Sequence, residues 1–260
     1  MAPDEKTATL PADAEPERTG AGGPLDRKLQ MASFDGSFVP LARPAEARVL
    51  GAYIGISNTV LLSLFIYATA PASGGHINPM ITFSAIIAGV LYMCAQTLGA
   101  ALAGGLLTGV WGYERSISVR GGGCFLDPSV ISQGQVFLNE FVASFVLLYL
   151  AYGVGLDPRQ AVLFGPRLGP LLVGASLGLV TFGTSGIAPG YAGAQMNPAR
   201  CFAYGIARRN LSDQWIWWVG PAAGSLLMAA MYNAVPPNHA LKDAERQSKR
   251  VIPTAQQSAA

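Results

Sequence analysis

Charge is what this sequence has least of. Only 12% of its 260 residues are Asp, Glu, Lys or Arg, about half the share of an ordinary soluble domain. Between Val49 and Tyr113 there is none at all. Beside a content of 51% apolar residues, that deficit argues against a soluble domain and for a membrane protein. The net charge of +2 is too small to draw the chain to nucleic acid. Cysteine is scarce too. Three residues do not build a disulfide framework, and Cys94, in an apolar run, reads as core packing. No metal-ligand cluster, Gly-rich phosphate loop or nucleophile with a neighbouring base is visible, so nothing points to an enzyme, a metal or a cofactor. The start, "MAPDEKTATLPADAEPERTGAGG", lacks the apolar core of a signal peptide and reads as a disordered polar tail.

Five segments have the ~20 apolar residues that a helix needs to cross a bilayer: 49–70, 89–111, 135–155, 168–187 and 214–235. Aromatic residues gather at several ends, Trp111 and Tyr113, Trp215, Trp217 and Trp218, Tyr149 and Tyr152, as befits the headgroup level. Gly105 and Gly109, Gly174 and Gly178, and Gly220 and Gly224 recur at helical spacing, which lets backbones approach closely in lipid. The expected organisation is a polar tail over 1–48, a membrane domain over 49–235 with repeats at 49–112 (incomplete) and 135–235, and a cytoplasmic tail over 236–260. Arg159, Arg167 and the basic residues near the C-terminus agree with that orientation, whereas Arg43, Arg48, Arg208 and Arg209 then lie outside.

Two further apolar pieces, 79–88 and 198–207, are too short to span. Each would reach ~15 Å, about half the bilayer core. Each follows an asparagine, in "GGHINPM" and in "GAQMNPARC". Asn is a preferred helix cap, and Pro suits the first helical position because its missing N–H is not needed there. A helix beginning at mid-membrane must be buried in protein or line a watery cavity. Asn78 and Asn197 stand 119 positions apart with matching surroundings, an internal repeat of the kind that places a binding site at the midplane. Asn78, Pro79 and Met80, with Asn197, Pro198 and Ala199, are therefore expected to line a path for something polar.

With these two motifs between apolar spans, the stretch from Val49 to Val235 resembles the major intrinsic proteins, the aquaporin and glycerol-facilitator family. "GGGC" (Gly121–Cys124) together with "NPARC" resembles its X intrinsic protein subgroup, and Met80 in place of Ala fits that subgroup's varied first motif. The resemblance implies an all-α membrane protein, an aquaporin-like right-handed helical bundle with two re-entrant half-helices. It implies one pore per subunit in a homotetramer, or in a hetero-oligomer with related channels, and a multi-pass protein of the plasma membrane. It implies passage of water and small neutral solutes such as glycerol, urea, hydrogen peroxide and boric acid. Ions and protons would be refused, because both half-helix beginnings carry partial positive charge. The Asn amides would donate to the solute while their carbonyl oxygens are held by backbone.

By the same resemblance the selectivity filter is Ile54, Thr181, Ala194 and Arg200, wider and less polar than a water filter. Glu140, alone in its span, is either an acceptor for a re-entrant loop or a proton relay; no second carboxylate nearby in sequence supports a relay. His76 is a hydrogen-bonded loop residue or a pH gate. Cys124 and Cys201 are brought near each other at the outer face, either as a disulfide that responds to oxidants or as two free thiols.

The sequence departs from the family in one respect. The family has six spans and five are visible, the counterpart of 135–155 in the first repeat being absent. This raises a second expectation, a truncated, non-conducting member that assembles with full-length subunits and regulates them. An energised transporter would want ionisable groups at the midplane, where only Glu140 qualifies.

Overall fold

The computed structural model describes residues 44–85, 89–118, 123–157, 161–188 and 190–234. The N-terminal tail up to 43 and the C-terminal tail from 235 lie outside the described residues. Among the described residues eight α-helices follow one another: α1 Pro44–Ser73, α2 Pro79–Ala85, α3 Val90–Trp111, α4 Tyr113–Ser118, α5 Gln133–Ala151, α6 Ala161–Thr184, α7 Pro198–Ala207 and α8 Gln214–Ala234. Helix α5 runs on through a π-turn over Tyr152–Leu156. An isolated bridge between Leu126 and Tyr191 is the single β-type pairing among the described residues. Helix α1 begins at Pro44 and so takes in residues 44–48, which composition assigns to the tail.

Among the described residues four helical segments are long and apolar enough to cross a membrane, 51–73, 90–111, 133–156 and 167–184. They match four of the five expected spans. The fifth, α8, has 21 residues and packs along α5. Local signals account for the ends. Ser132 caps α5 in a reciprocal capping box with Gln135, which satisfies orphan N–H groups on both sides of the helix start. Gly165, at φ 64°, breaks the first turn of α6 from the rest.

The chain repeats itself in space as well as in sequence. Helices α1, α2 and α3 correspond to α6, α7 and α8. The largest interface joins α1 to its counterpart α6, and α2 packs on α8 as α7 packs on α3. Glycine decides how close these crossings are. A Cβ on Gly178 would stand 1.9 Å from Thr59 Oγ1, and one on Gly174 would stand 2.1 Å from Ser63 Oγ. At Gly224 a Cβ would lie 2.5 Å from Phe141 O. Two of the three expected glycine pairs thus sit in helix contacts. The third does not: Gly105 and Gly109 have open space around them, and Gly104 is the α3 glycine that packs, against Ala203 O. Spacing reveals a stripe of small residues but not which side of the helix meets a neighbour.

Helix α5 bridges α6 and α8, whereas no described element bridges α1 and α3. Of the α3 span only 6% is buried, against 44% for α5. Leu91, Leu98, Leu102, Leu106 and Val110 project outward, a surface suited to lipid rather than water. Cys94, expected in the core, is exposed on this helix.

Candidate functional site

The two Asn-Pro motifs meet. Asn78 Nδ2 donates to Met196 O at 2.8 Å, and Asn197 Nδ2 donates to Ile77 O at 3.2 Å. Each asparagine thus holds the carbonyl just before the other. Their side-chain oxygens face their own helices: Asn78 Oδ1 accepts from Met80 N at 2.9 Å and Asn197 Oδ1 from Arg200 N at 3.2 Å. Pro198 occupies the first position of α7, where no N–H is required. One N–H of each amide is therefore engaged across the repeat, and a primary amide has a second N–H to offer.

Behind the second motif stands Glu140, fully buried on α5. Its Oε1 accepts from Tyr191 Oη at 2.7 Å and Gln195 N at 2.8 Å, and its Oε2 accepts from Met196 N at 2.8 Å. Asn139 Nδ2 in turn donates to Tyr191 Oη at 3.0 Å. A carboxylate so saturated holds the loop that precedes α7. Met196 is held there at φ 56°, a conformation costly for a residue with a side chain. In the first repeat Gln96 Nε2 donates to His76 O and, at 2.9 Å, to Thr82 Oγ1, tying loop and half-helix to α3.

A cavity of about 590 Å³ lies against the meeting point, and Asn78, Asn197, Arg200, Ile54 and Asn58 are among the residues that line it. Arg200 has its Nε 2.8 Å from Tyr204 Oη. Of the four expected filter residues, Ile54 and Arg200 line this cavity. Thr181 is buried one hydrogen bond behind it, accepting from Asn58 Nδ2 at 3.1 Å. Ala194 is buried among Ala143, Leu147, Val180 and Met196, and its N–H donates to Thr184 Oγ1 at 3.1 Å. Asn58, Gln195 and Tyr204 also face the cavity and were not legible as site residues, although Asn58 stands one helical turn beyond Ile54, so both share a face.

Cys124 and Cys201 form a disulfide with a Cα–Cα distance of 5.3 Å, and neither side chain is exposed. The bond ties the segment after the Gly-rich loop to the first turn of α7, next to Arg200.

A family model described as Major intrinsic protein matches residues 36–232. Among curated relatives, "Aquaporin TIP2-3" of Zea mays is 33% identical over 192 residues, which is 70% of this chain and 71% of that protein. "Probable aquaporin TIP3-2" of Arabidopsis thaliana is 30% identical over 72% of this chain and 70% of its own length. "Probable aquaporin PIP-type 7a" of Pisum sativum is 34% identical over 67% and 62%. The matched residues include both Asn-Pro motifs, and so the chain belongs to the major intrinsic protein family, whose members are membrane channels for water or small solutes.

Proposed function

We propose that this chain passes small neutral solutes of the glycerol, urea, hydrogen peroxide and boric acid class, with water, through the cavity beside Asn78 and Asn197. The observation that carries the reading is the reciprocal pair of asparagine bonds, which brings two helix beginnings to one point with an arginine alongside. Both helix ends and Arg200 present positive potential there, so cations are repelled while hydrogen-bonding neutral molecules are not. Ile54 and Thr181 at the first two filter positions, where the water-selective members of the family carry an aromatic and a histidine, support a wider opening, with Tyr204 beside Arg200 as the aromatic nearest the motif. The subgroup resemblance to the X intrinsic proteins, the homotetramer and the plasma-membrane location belong to the same proposal. Solute uptake by proteoliposomes tests it: measurable flux of at least one of the four solutes is expected, and fast water flux with all four excluded would overturn it. Arg200→Val is expected to raise cation leak by about two orders of magnitude, since a unit charge at ~5 Å contributes about 3 kcal/mol at an effective dielectric constant of about 20. Conductance of the two proteins in planar bilayers checks this.

The disulfide fits the same reading as a staple for the outer mouth. Two-electron reduction by a dithiol would convert it to two thiols, but both sulfurs are buried, which weighs against an oxidant-responsive gate. Dithiothreitol added to the folded protein is expected to leave hydrogen peroxide flux unchanged, whereas Cys201→Ser lowers the melting temperature. A peroxide flux that follows the redox potential in the parent but not in Cys201→Ser would establish the gate instead.

A second reading, assembly with related subunits, has its own support. In the second repeat Glu140 receives the Gln195 and Met196 N–H groups. The matching N–H groups of His76 and Ile77 donate to no described residue, on the side where α1 and α3 stand apart. Vesicles holding this chain alone separate the readings: no solute flux alone, with altered flux on co-reconstitution with a related channel, would favour the second.

A further inference from the structure

A second cavity, of about 320 Å³, lies on the His76 side of the first. The two have two lining residues in common, Leu62 of α1 and Ile81 of α2. Both side chains are buried.

The chemistry changes across this pair. Ser57, Asn58, Asn78, Gln195, Asn197 and Arg200 face the first cavity. Among the described residues that line the second, His76 has the only polar side chain, and neither Asn78 nor Asn197 is one of them. The side chains that the two cavities share are hydrocarbon alone. A molecule going from one to the other must let go of the amides before it meets the next polar groups, at His76 and the backbone of Gly74 and Gly75.

Packing holds the pair in place. Leu62 clusters with Ala151 and Val173, and Ile81 with Leu148, Tyr152 and Met228. Leu156 packs against both clusters. It ends the π-turn of α5, a feature frequent at functional positions. Side chains braced from several helices do not swing aside freely, because interiors are close-packed.

We propose that Leu62 and Ile81 form an apolar septum that decides which neutral molecules cross, favouring solutes with a carbon face, such as glycerol, over water. The inference rests on the conduit reading above and adds a second selective step beyond Arg200. An apolar constriction tends to shed water. Water that enters it gives up hydrogen bonds and gains none. A polyol pays the same loss at its hydroxyls but keeps dispersion contacts between its C–H groups and the two side chains.

Water and glycerol permeabilities of the full chain in proteoliposomes, read by stopped-flow light scattering, test the septum. Leu62→Asn and Ile81→Thr add a polar group with little change of size. In each the water-to-glycerol ratio is expected to rise about tenfold, the effect of one hydrogen bond offered to a desolvated molecule. A parent without flux whose variants conduct water would also support the septum, as a closed one. Parent flux with the ratio unchanged or lowered in folded variants would overturn the septum and leave the conduit standing. No flux from the parent or either variant would overturn the conduit reading, and the septum with it. Far-ultraviolet circular dichroism confirms the fold of each variant, and either one alone suffices should the other fail to fold.

Discussion

Glu140→Ala is expected to cost this protein its fold or its conduit. The change removes the acceptor of three buried hydrogen bonds, from Tyr191 Oη and from the Gln195 and Met196 N–H groups. Each buried donor left unsatisfied costs about 1–3 kcal/mol, so three together rival the 5–15 kcal/mol by which a typical protein is stable. The damage is local as well as global. Met196 loses the bond that helps hold it at φ 56°, and its carbonyl is the one that Asn78 binds. Glu140→Gln keeps one acceptor oxygen and is expected to fall between the two. Melting temperature in detergent and solute flux in proteoliposomes are the measurements. If Glu140→Ala melted with the parent and kept full flux, the carboxylate would not be the clamp described above. A relay role predicts instead that Glu140→Gln leaves stability untouched and changes only pH-dependent transport.

The second large effect is expected at the α1–α6 crossing. Gly178→Ala places a methyl 1.9 Å from Thr59 Oγ1 and 2.5 Å from Gly55 O. The hydroxyl can rotate away but the backbone oxygen cannot, so the helices must separate. Overpacking of this kind costs about 1–3 kcal/mol, and more where backbone is struck. Helix α1 carries Ile54 and Asn58, so its displacement disturbs the cavity wall and the Asn58–Thr181 bond. Loss of flux is therefore expected at a temperature where the variant is still folded. Gly105→Ala is the control. Its Cβ meets nothing, and helix propensity alone predicts a gain of up to about 1 kcal/mol. Equal behaviour of the two variants in thermal unfolding and flux assays would refute the close-contact account.

These contrasts show where the sequence was legible. Both half-helix starts could be read from Asn-Pro, because a cap and a first-turn proline act within four residues of chain. Spans could be read from apolar length, because a bilayer demands it of each segment separately. Glu140 stood out because a carboxylate inside an apolar run needs a partner. Which partner it had was not legible: Tyr191 and Gln195 lie more than fifty positions away. The same holds for the glycine stripes, where Gly104 rather than Gly105 or Gly109 meets α7. It holds for Asn58 too, an ordinary polar residue in "IGISN" until α6 brings Thr181 beside it.

The sequence by itself determined the solvent of this protein, its helices, the two interruptions of its apolar runs and their kinship to one another. Each of these follows from interactions within a few residues or from the composition of one segment. Only the tertiary structure decided that each asparagine would grip the carbonyl before the other, that Cys124 would reach Cys201, and that Ile54 and Arg200 would face the cavity while Thr181 and Ala194 stand behind it. Those outcomes depend on the phase of one helix against another. A rotation of a single residue, about 100°, turns a lining side chain into a buried or lipid-facing one, and spacing along the chain does not specify that angle.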